Sequence, residues 1–326
     1  MALGVADVRI GTWTATSGVS GCTVVLPPDD TVGALAVRGA APGTREAAAL
    51  GPAGKLTVCH GVVLAGGSAY GLAAADGVVR WLEAAGRGYP VAVGRVPIVG
   101  AAIVLDGAVA DPDARPGADA GWAACEAAGE DDPPEGAAGV GAGCTVAKVA
   151  GLEHAWAGGQ GIAVRRAGGV TVGAIVANNA VGELVGEDGR WLARARVPDD
   201  APRFPLHAVD ALPGPGAGGG TADGPTTNTV IGCVVTDARL DKRATHRVAD
   251  LGHSGIARAL RPAHTEADGD ALFCLATGRV EASIDLVAHL AAEVVAEAVR
   301  RGPLASRDRP ARGPLPALPG LADHAG

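Results

Sequence analysis

The chain has 326 residues, enough for one large domain or two modest ones, and carries a formal net charge of −8 with no Lys/Arg-rich block. That balance excludes the basic footprint of a nucleic-acid binder, and aromatic residues at 3% leave few platforms for stacking bases or sugars. No charge-free apolar stretch approaches the length of a bilayer span, so no membrane partner is expected.

In chain order, "GCTVVLP" and "VGALAVRG" read as strands, and "LTVCHGVVLAGG" as a longer buried one. "SAYGLAAADGVVRWLEAAGRG" then places Leu72, Ala75, Val78, Val79 and Leu82 on one helical face, with Ser68 as its N-cap and Gly86 near its end. "VPIVGAAIVLDG" reads as extended, "ADAGWAACEAAG" as a short helix, and Gly139 to Val185 as strands joined by Gly turns. From 197 to 227 the periodicity vanishes into Pro, Gly and Asp, the composition of a flexible linker or processing site. Beyond it come the strand "TVIGCVVTDA", the helix "LDKRATHRVADLGHSGIARAL", the strand "ALFCLATG" and the helix "SIDLVAHLAAEVVAEAVRR". The tail "GPLASRDRPARGPLPALPG" reads as disordered.

Six scattered cysteines, none in a CxxC pair, read as buried free thiols rather than a disulfide framework. Together with the lack of a secretory signal pattern they point to the cytoplasm. The eight histidines show no metal-ligand spacing, so neither a metal nor another cofactor is expected.

Three chemical schemes compete. "GGSAYG" imitates a nucleophile elbow at Ser68, but Tyr70 stands where the second glycine belongs. "GVGAGCTVAK" imitates a phosphate loop and lacks its Gly-Lys-Ser/Thr ending. The third is an N-terminal nucleophile at "GPTTNTVIGCVV". Cleavage between Asn228 and Thr229 would free an α-amine able to accept the proton of the Thr229 hydroxyl. Such an amine titrates near roughly 7.7–8.0, so part of it is free base at neutral pH. Pattern alone leaves open a threonine that merely opens a strand.

The blocks "GCTVVL", "VRGAAPGTRE", "VVLAGGSAYGLAAADGVVRWLE", "RVPIVGAAIVLD", "NTVIGCVVTDA" and "DGDALFCLATG" together resemble the L-aminopeptidase/D-esterase family, peptidase family S58. That family, also called the P1 peptidases, includes β-aminopeptidases and the nylon-oligomer hydrolase. The resemblance spans almost the whole chain and implies an α/β (α+β) fold layered α/β/β/α, of the self-processing aminopeptidase and ornithine acetyltransferase type. It further implies one self-processing domain over 1–326, cut into chains 1–228 and 229–326 that assemble as a homo-oligomer, often a tetramer.

By resemblance Thr229 is the nucleophile, Asn228 the residue released, and Asp268 and Asp270 the paired site acids. Lys148 is the site lysine and Asn179 the oxyanion donor, with Asn178 as the alternative register. Leu105 stands where some members carry an aromatic hydroxyl, and Tyr70 is a candidate substitute. The implied activity is hydrolysis of amides or esters of amino acids, short peptides, β-peptides or ω-amino oligoamides. An acyltransferase and an uncleaved small-molecule-binding protein remain as rivals.

Overall fold

The computed structural model describes residues 1–198, 228–312 and 315–324. All but the first two residues of the linker expected over 197–227 lie outside the described residues. The strands that build the two main sheets are, in chain order, β1 (Arg9–Thr14), β2 (Gly21–Leu26), β3 (Val32–Val37), β4 (Thr44–Arg45) and β5 (Gly61–Ala65), followed by β6 (Val99–Ile103), β7 (Gly159–Ala167), β8 (Val170–Asn179), β9 (Thr229–Ala238) and β10 (Ala271–Val280). The principal helices are α1 (Ala74–Ala84), α2 (Ala118–Glu126), α3 (Lys242–Ala259) and α4 (Ile284–Leu304). One five-stranded sheet has the order β1-β2-β5-β6-β4, the other β7-β8-β9-β10-β3.

Alternation along the strands assigns each face its neighbour. In β9, Ile231, Cys233 and Val235 join a cluster with Val62, Leu64 and Ala102 of the facing sheet. Val230 and Val234 turn the other way, onto Val248, Ile256, Val294 and Val295 of α3 and α4. The far side of the first sheet, through Val24, Val63 and Ala101, packs on Val78, Leu82 and Ala124 of α1 and α2. Two back-to-back sheets between helical layers result, which is the expected α/β/β/α order. The parallel pair β9–β10 is bridged by α3, as parallel neighbours need a long crossover. β3, from the start of the chain, closes the sheet against β10, so segments on both sides of the Asn228–Thr229 bond share one sheet.

Small residues let these layers approach closely. A Cβ added to Gly161 of β7 would lie 2.1 Å from the Ala298 carbonyl oxygen of α4, and one on Gly302 would lie 2.5 Å from that of Gly159. All six cysteines are buried free thiols. Among the described residues, no helix is long and apolar enough to cross a membrane.

Local readings need correction at three places. Only the second half of "LTVCHGVVLAGG" is strand, as β5. Ser68 is not a helix cap. It sits inside a 3-10 turn with φ 55°, its amide donating to the Val104 carbonyl, and Gly67 takes the cap position. The C-terminal tail is ordered wherever it is described. α4 continues through Pro303, backbone bridges tie Arg309 to Leu318 and Arg312 to Leu315, and a short helix covers Leu321–His324. One anchor is Arg309, whose buried guanidinium donates to the carbonyls of Ala142, Cys144 and Gly158 at 2.6–3.0 Å, and Leu318 and Leu321 add buried apolar contacts. A low-hydrophobicity segment can thus be held in part by charge-assisted hydrogen bonds to buried carbonyls.

Arg309→Ala is expected to destabilise the fold by about 3 kcal/mol, because it strips a charged donor from three buried carbonyls. Urea unfolding of the two proteins measures this, and equal midpoints would mean that the Arg309 hydrogen bonds contribute nothing to stability.

Candidate active site

The site forms where the edge of the β8–β9 ladder meets the loop before β10. β8 and β9 run antiparallel with Asn179 opposite Thr229 and Asn178 opposite Val230. Parity then separates the two asparagines. Asn179 continues the row of Ile175 and Ala177, which faces the layer between the sheets. Asn178 continues the row of Val172, Ala174 and Val176, which faces the helices, and its amide donates to the Val299 carbonyl of α4 at 2.9 Å.

Asn179 is tied to several chain segments at once. Its Oδ1 accepts from the Thr145 amide at 2.9 Å, the Thr145 hydroxyl at 3.2 Å and Lys148 Nζ at 3.2 Å. Its Nδ2 donates to the Leu105 carbonyl at 3.0 Å, and Lys148 Nζ also donates to the Asn179 backbone carbonyl at 2.9 Å. Position 105 thus enters the site through its backbone. Tyr70 does not substitute for an aromatic hydroxyl there: it is 57% exposed, its ring beneath the Arg115 guanidinium.

On the other side of Thr229, Asn228 forms a parallel bridge with Asp268, and the Gly269 amide donates to the Asn228 carbonyl at 3.3 Å. The Thr229 hydroxyl donates to that same carbonyl oxygen, immediately beside the Asn228–Thr229 bond. Gly269 is required by proximity, since a Cβ there would lie 3.1 Å from Thr229 Oγ1 and 2.7 Å from the Ala41 carbonyl oxygen. Asp268 Oδ2 accepts from the amide and the hydroxyl of Thr265, both at 2.7 Å. Asp270 Oδ1 accepts from the Val230 amide at 2.6 Å, and its Oδ2 faces His264 Nδ1 at 2.7 Å. The described hydrogen bonds of the two carboxylates therefore reach the strand backbone and the loop, not the Thr229 hydroxyl.

Thr229, Asn228, Asn179, Lys148, Asp268 and Asp270 are all buried. Burial presses the Lys148 ammonium from its ordinary 10.5 down to about 7, against the opposing pull of Cys144 and Asp268. Burial also raises Asp268, helped by the neighbouring Asp270 and offset by Thr265 and Lys148. The two perturbed groups flank the Thr229 segment, Lys148 through Asn179 and Asp268 through Asn228, and perturbed groups cluster at reactive sites. Sequence reading missed Thr145, His264 and Thr265. The last two stand only a few positions before Asp268 in "HTEADGD", so their closeness to the acids was the available signal.

A cavity of about 200 Å³ opens beside the asparagine cluster, lined by Leu105, Val109, Ala110, Thr145, Leu152 and Leu315 among others. Larger hollows, of about 520 Å³ beside Arg258 and Arg300 and about 480 Å³ beside His60 and Tyr89, share no lining residue with it.

The sequence profile of peptidase family S58 matches residues 3–312. An uncharacterized aminopeptidase of Mycobacterium tuberculosis (strain H37Rv) is 45% identical over 264 residues, covering 80% of this chain and 74% of that one. A 6-aminohexanoate-oligomer endohydrolase of Agromyces sp. is 29% identical over 285 residues, covering 84% and 74%. Among solved structures, the L-aminopeptidase D-Ala-esterase/amidase of Ochrobactrum anthropi superposes with a TM-score of 0.71 at 20% identity, over 99% of this chain and 91% of that one, and is described as a variant of the N-terminal-nucleophile hydrolase fold. With the layers and the profile in agreement, the chain belongs to peptidase family S58, the aminopeptidases and amidohydrolases built on this variant of the N-terminal-nucleophile fold.

Proposed function

We propose that this chain cuts itself between Asn228 and Thr229 and that Thr229 then serves as an N-terminal nucleophile hydrolysing amides or esters. The observation that carries the reading is the Thr229 hydroxyl hydrogen-bonded to the Asn228 carbonyl oxygen, at the start of a buried strand with Lys148 and Asn179 to one side and Asp268 to the other. A hydroxyl beside the preceding carbonyl group can attack its carbon, forming an ester C–O bond as the C–N bond breaks and passing its proton to the freed Thr229 nitrogen, and water then hydrolyses the ester to release Asn228.

In the mature enzyme the α-amine of Thr229 takes the hydroxyl proton as Oγ attacks the substrate carbonyl. Negative charge on the carbonyl oxygen is met by Asn179 and by Lys148 in its protonated form. The amine or alcohol leaves, and water enters to free the acyl group. The apolar cavity beside Leu105 and Thr145 supports a substrate with a short aliphatic stretch, and the buried acids support recognition of a free ammonium group near the scissile bond. The cleaved chains stay together, because β9 and β10 are interior to a sheet closed by β3. Association of cleaved protomers into a homo-oligomer is part of the proposal and rests on the family resemblance alone.

Purified protein should run as two fragments on a denaturing gel, the smaller beginning at Thr229, and Thr229→Ala should remain one chain. A fragment beginning elsewhere would overturn the assignment.

Processed enzyme should prefer a free-amine substrate, such as an amino-acid p-nitroanilide or a short aminohexanoate oligomer, over its N-acetylated twin by about ten- to a hundredfold in kcat/KM. Equal values for the pair would remove amine recognition from Asp268 and Asp270.

Lys148 ties stability to pH with a definite sign. Its folded value is depressed, so the unfolded chain binds the extra proton between about 7 and 10.5, and stability falls as pH drops through that window. Lys148→Met should flatten that slope and raise Tm at pH 7 by a few degrees, while slowing self-cleavage. An unchanged slope in thermal melts from pH 7 to 10 would show that the buried ammonium carries no such cost.

A further inference from the structure

His264 stands outside the set of residues assigned above, yet both of its ring nitrogens are engaged. Nδ1 lies 2.7 Å from Asp270 Oδ2, and Nε2 lies 3.4 Å from the His253 carbonyl oxygen. Its amide donates to the same Asp270 oxygen at 3.3 Å. Both ring nitrogens thus face acceptors, an arrangement that only the doubly protonated ring satisfies in full. Burial opposes that charge, but the hydrogen bond and charge of Asp270 outweigh it, and the imidazole is held above its ordinary value.

Among the described residues, the groups facing this ring are few. His253 of α3 packs edge-on with ring centroids 5.0 Å apart, and burial keeps it neutral by lowering it to about 4. Its Nε2 lies 3.1 Å from the Ala36 carbonyl oxygen of β3. Arg38, just after β3, adds a positive charge that works against the His264 cation and is itself paired with Asp250. Asp270 supplies the counter-charge.

What Asp270 does with its other oxygen gives the histidine a purpose. Oδ1 accepts from the amide of Val230, the residue directly after Thr229. Once the Asn228–Thr229 bond is cut, Val230 carries the first peptide amide of the new chain. We infer that His264 is a positioning residue, which fixes the Asp270 carboxylate so that its second oxygen holds the Val230 amide and thereby aims Thr229. The inference rests on the reading of Thr229 as the nucleophile. A terminal residue is free to swing, and misplacement by about 1 Å can cost on the order of a hundredfold in rate.

The backbone offers a clean set of variants, because His264 has φ 58° in the left-handed region, which Asn and Asp tolerate. His264→Asn places a donor near the position of Nδ1, whereas the nearly isosteric His264→Asp places an oxygen against the Asp270 carboxylate. His264→Asn should keep kcat within about threefold of wild type, and His264→Asp and His264→Ala should lower kcat and the self-cleavage rate by about tenfold or more with KM within about twofold. Thermal melts report whether each variant folds, and the Asn–Asp comparison stands even if His264→Ala does not. Equal kcat for His264→Asn and His264→Asp, or a loss expressed only in KM, would overturn the role while leaving Thr229 untouched. Wild-type fragments that begin elsewhere than Thr229 would overturn the reading on which the role depends, and the role with it.

Discussion

Between β8 and β9 the antiparallel ladder runs from Val172 opposite Thr236 to Asn179 opposite Thr229. A slip of one residue would send Ile231, Cys233 and Val235 toward the helices and Val230 and Val234 toward the other sheet. Both faces are buried, so the register is fixed by the fit of the side chains in two different layers. The polar ends of these strands inherit that register. Asn179 and Thr229 fall opposite each other on the face between the sheets because the apolar residues preceding and following them are committed.

A buried polar site has a cost, visible in Lys148 and Asp268, which burial pushes toward their neutral forms. The surrounding structure offsets it with hydrogen bonds drawn largely from backbone and small hydroxyl groups. Thr145 and the Leu105 carbonyl serve Asn179, and Thr265 serves Asp268. Segments far apart in the chain are needed to satisfy the cluster, so the cluster exists only when both sheets are in place. The proposed reaction would use the same perturbation, since a lysine near neutrality and a hydroxyl held beside a carbonyl are both poised for proton transfer.

The small-residue composition serves the same end. Gly161 and Gly302 bring α4 against β7, and Gly269 brings the acid-bearing loop against the Thr229 hydroxyl. Larger side chains at these positions would part the layers or push the loop away. The tail is drawn in by one buried guanidinium and by the isolated leucines Leu318 and Leu321, a spacing with no regular period, which is why its composition gave no sign of order.

The residue pattern by itself determined much of this protein. Short apolar runs marked β2, β3, β9 and β10, whose two faces are both largely buried, and helical patterning marked α1 to α4. The family blocks carried the layered fold and the identity of the candidate residues. Tertiary structure alone decided which asparagine faces Lys148, since two adjacent residues of one strand are equivalent until its faces have neighbours. It alone turned Ser68 into part of a tight turn, ordered the tail around Arg309, and set His264 against Asp270. Each of these depends on groups far apart in the chain or on one backbone conformation, and local pattern carries no record of what will lie on the other side of a side chain.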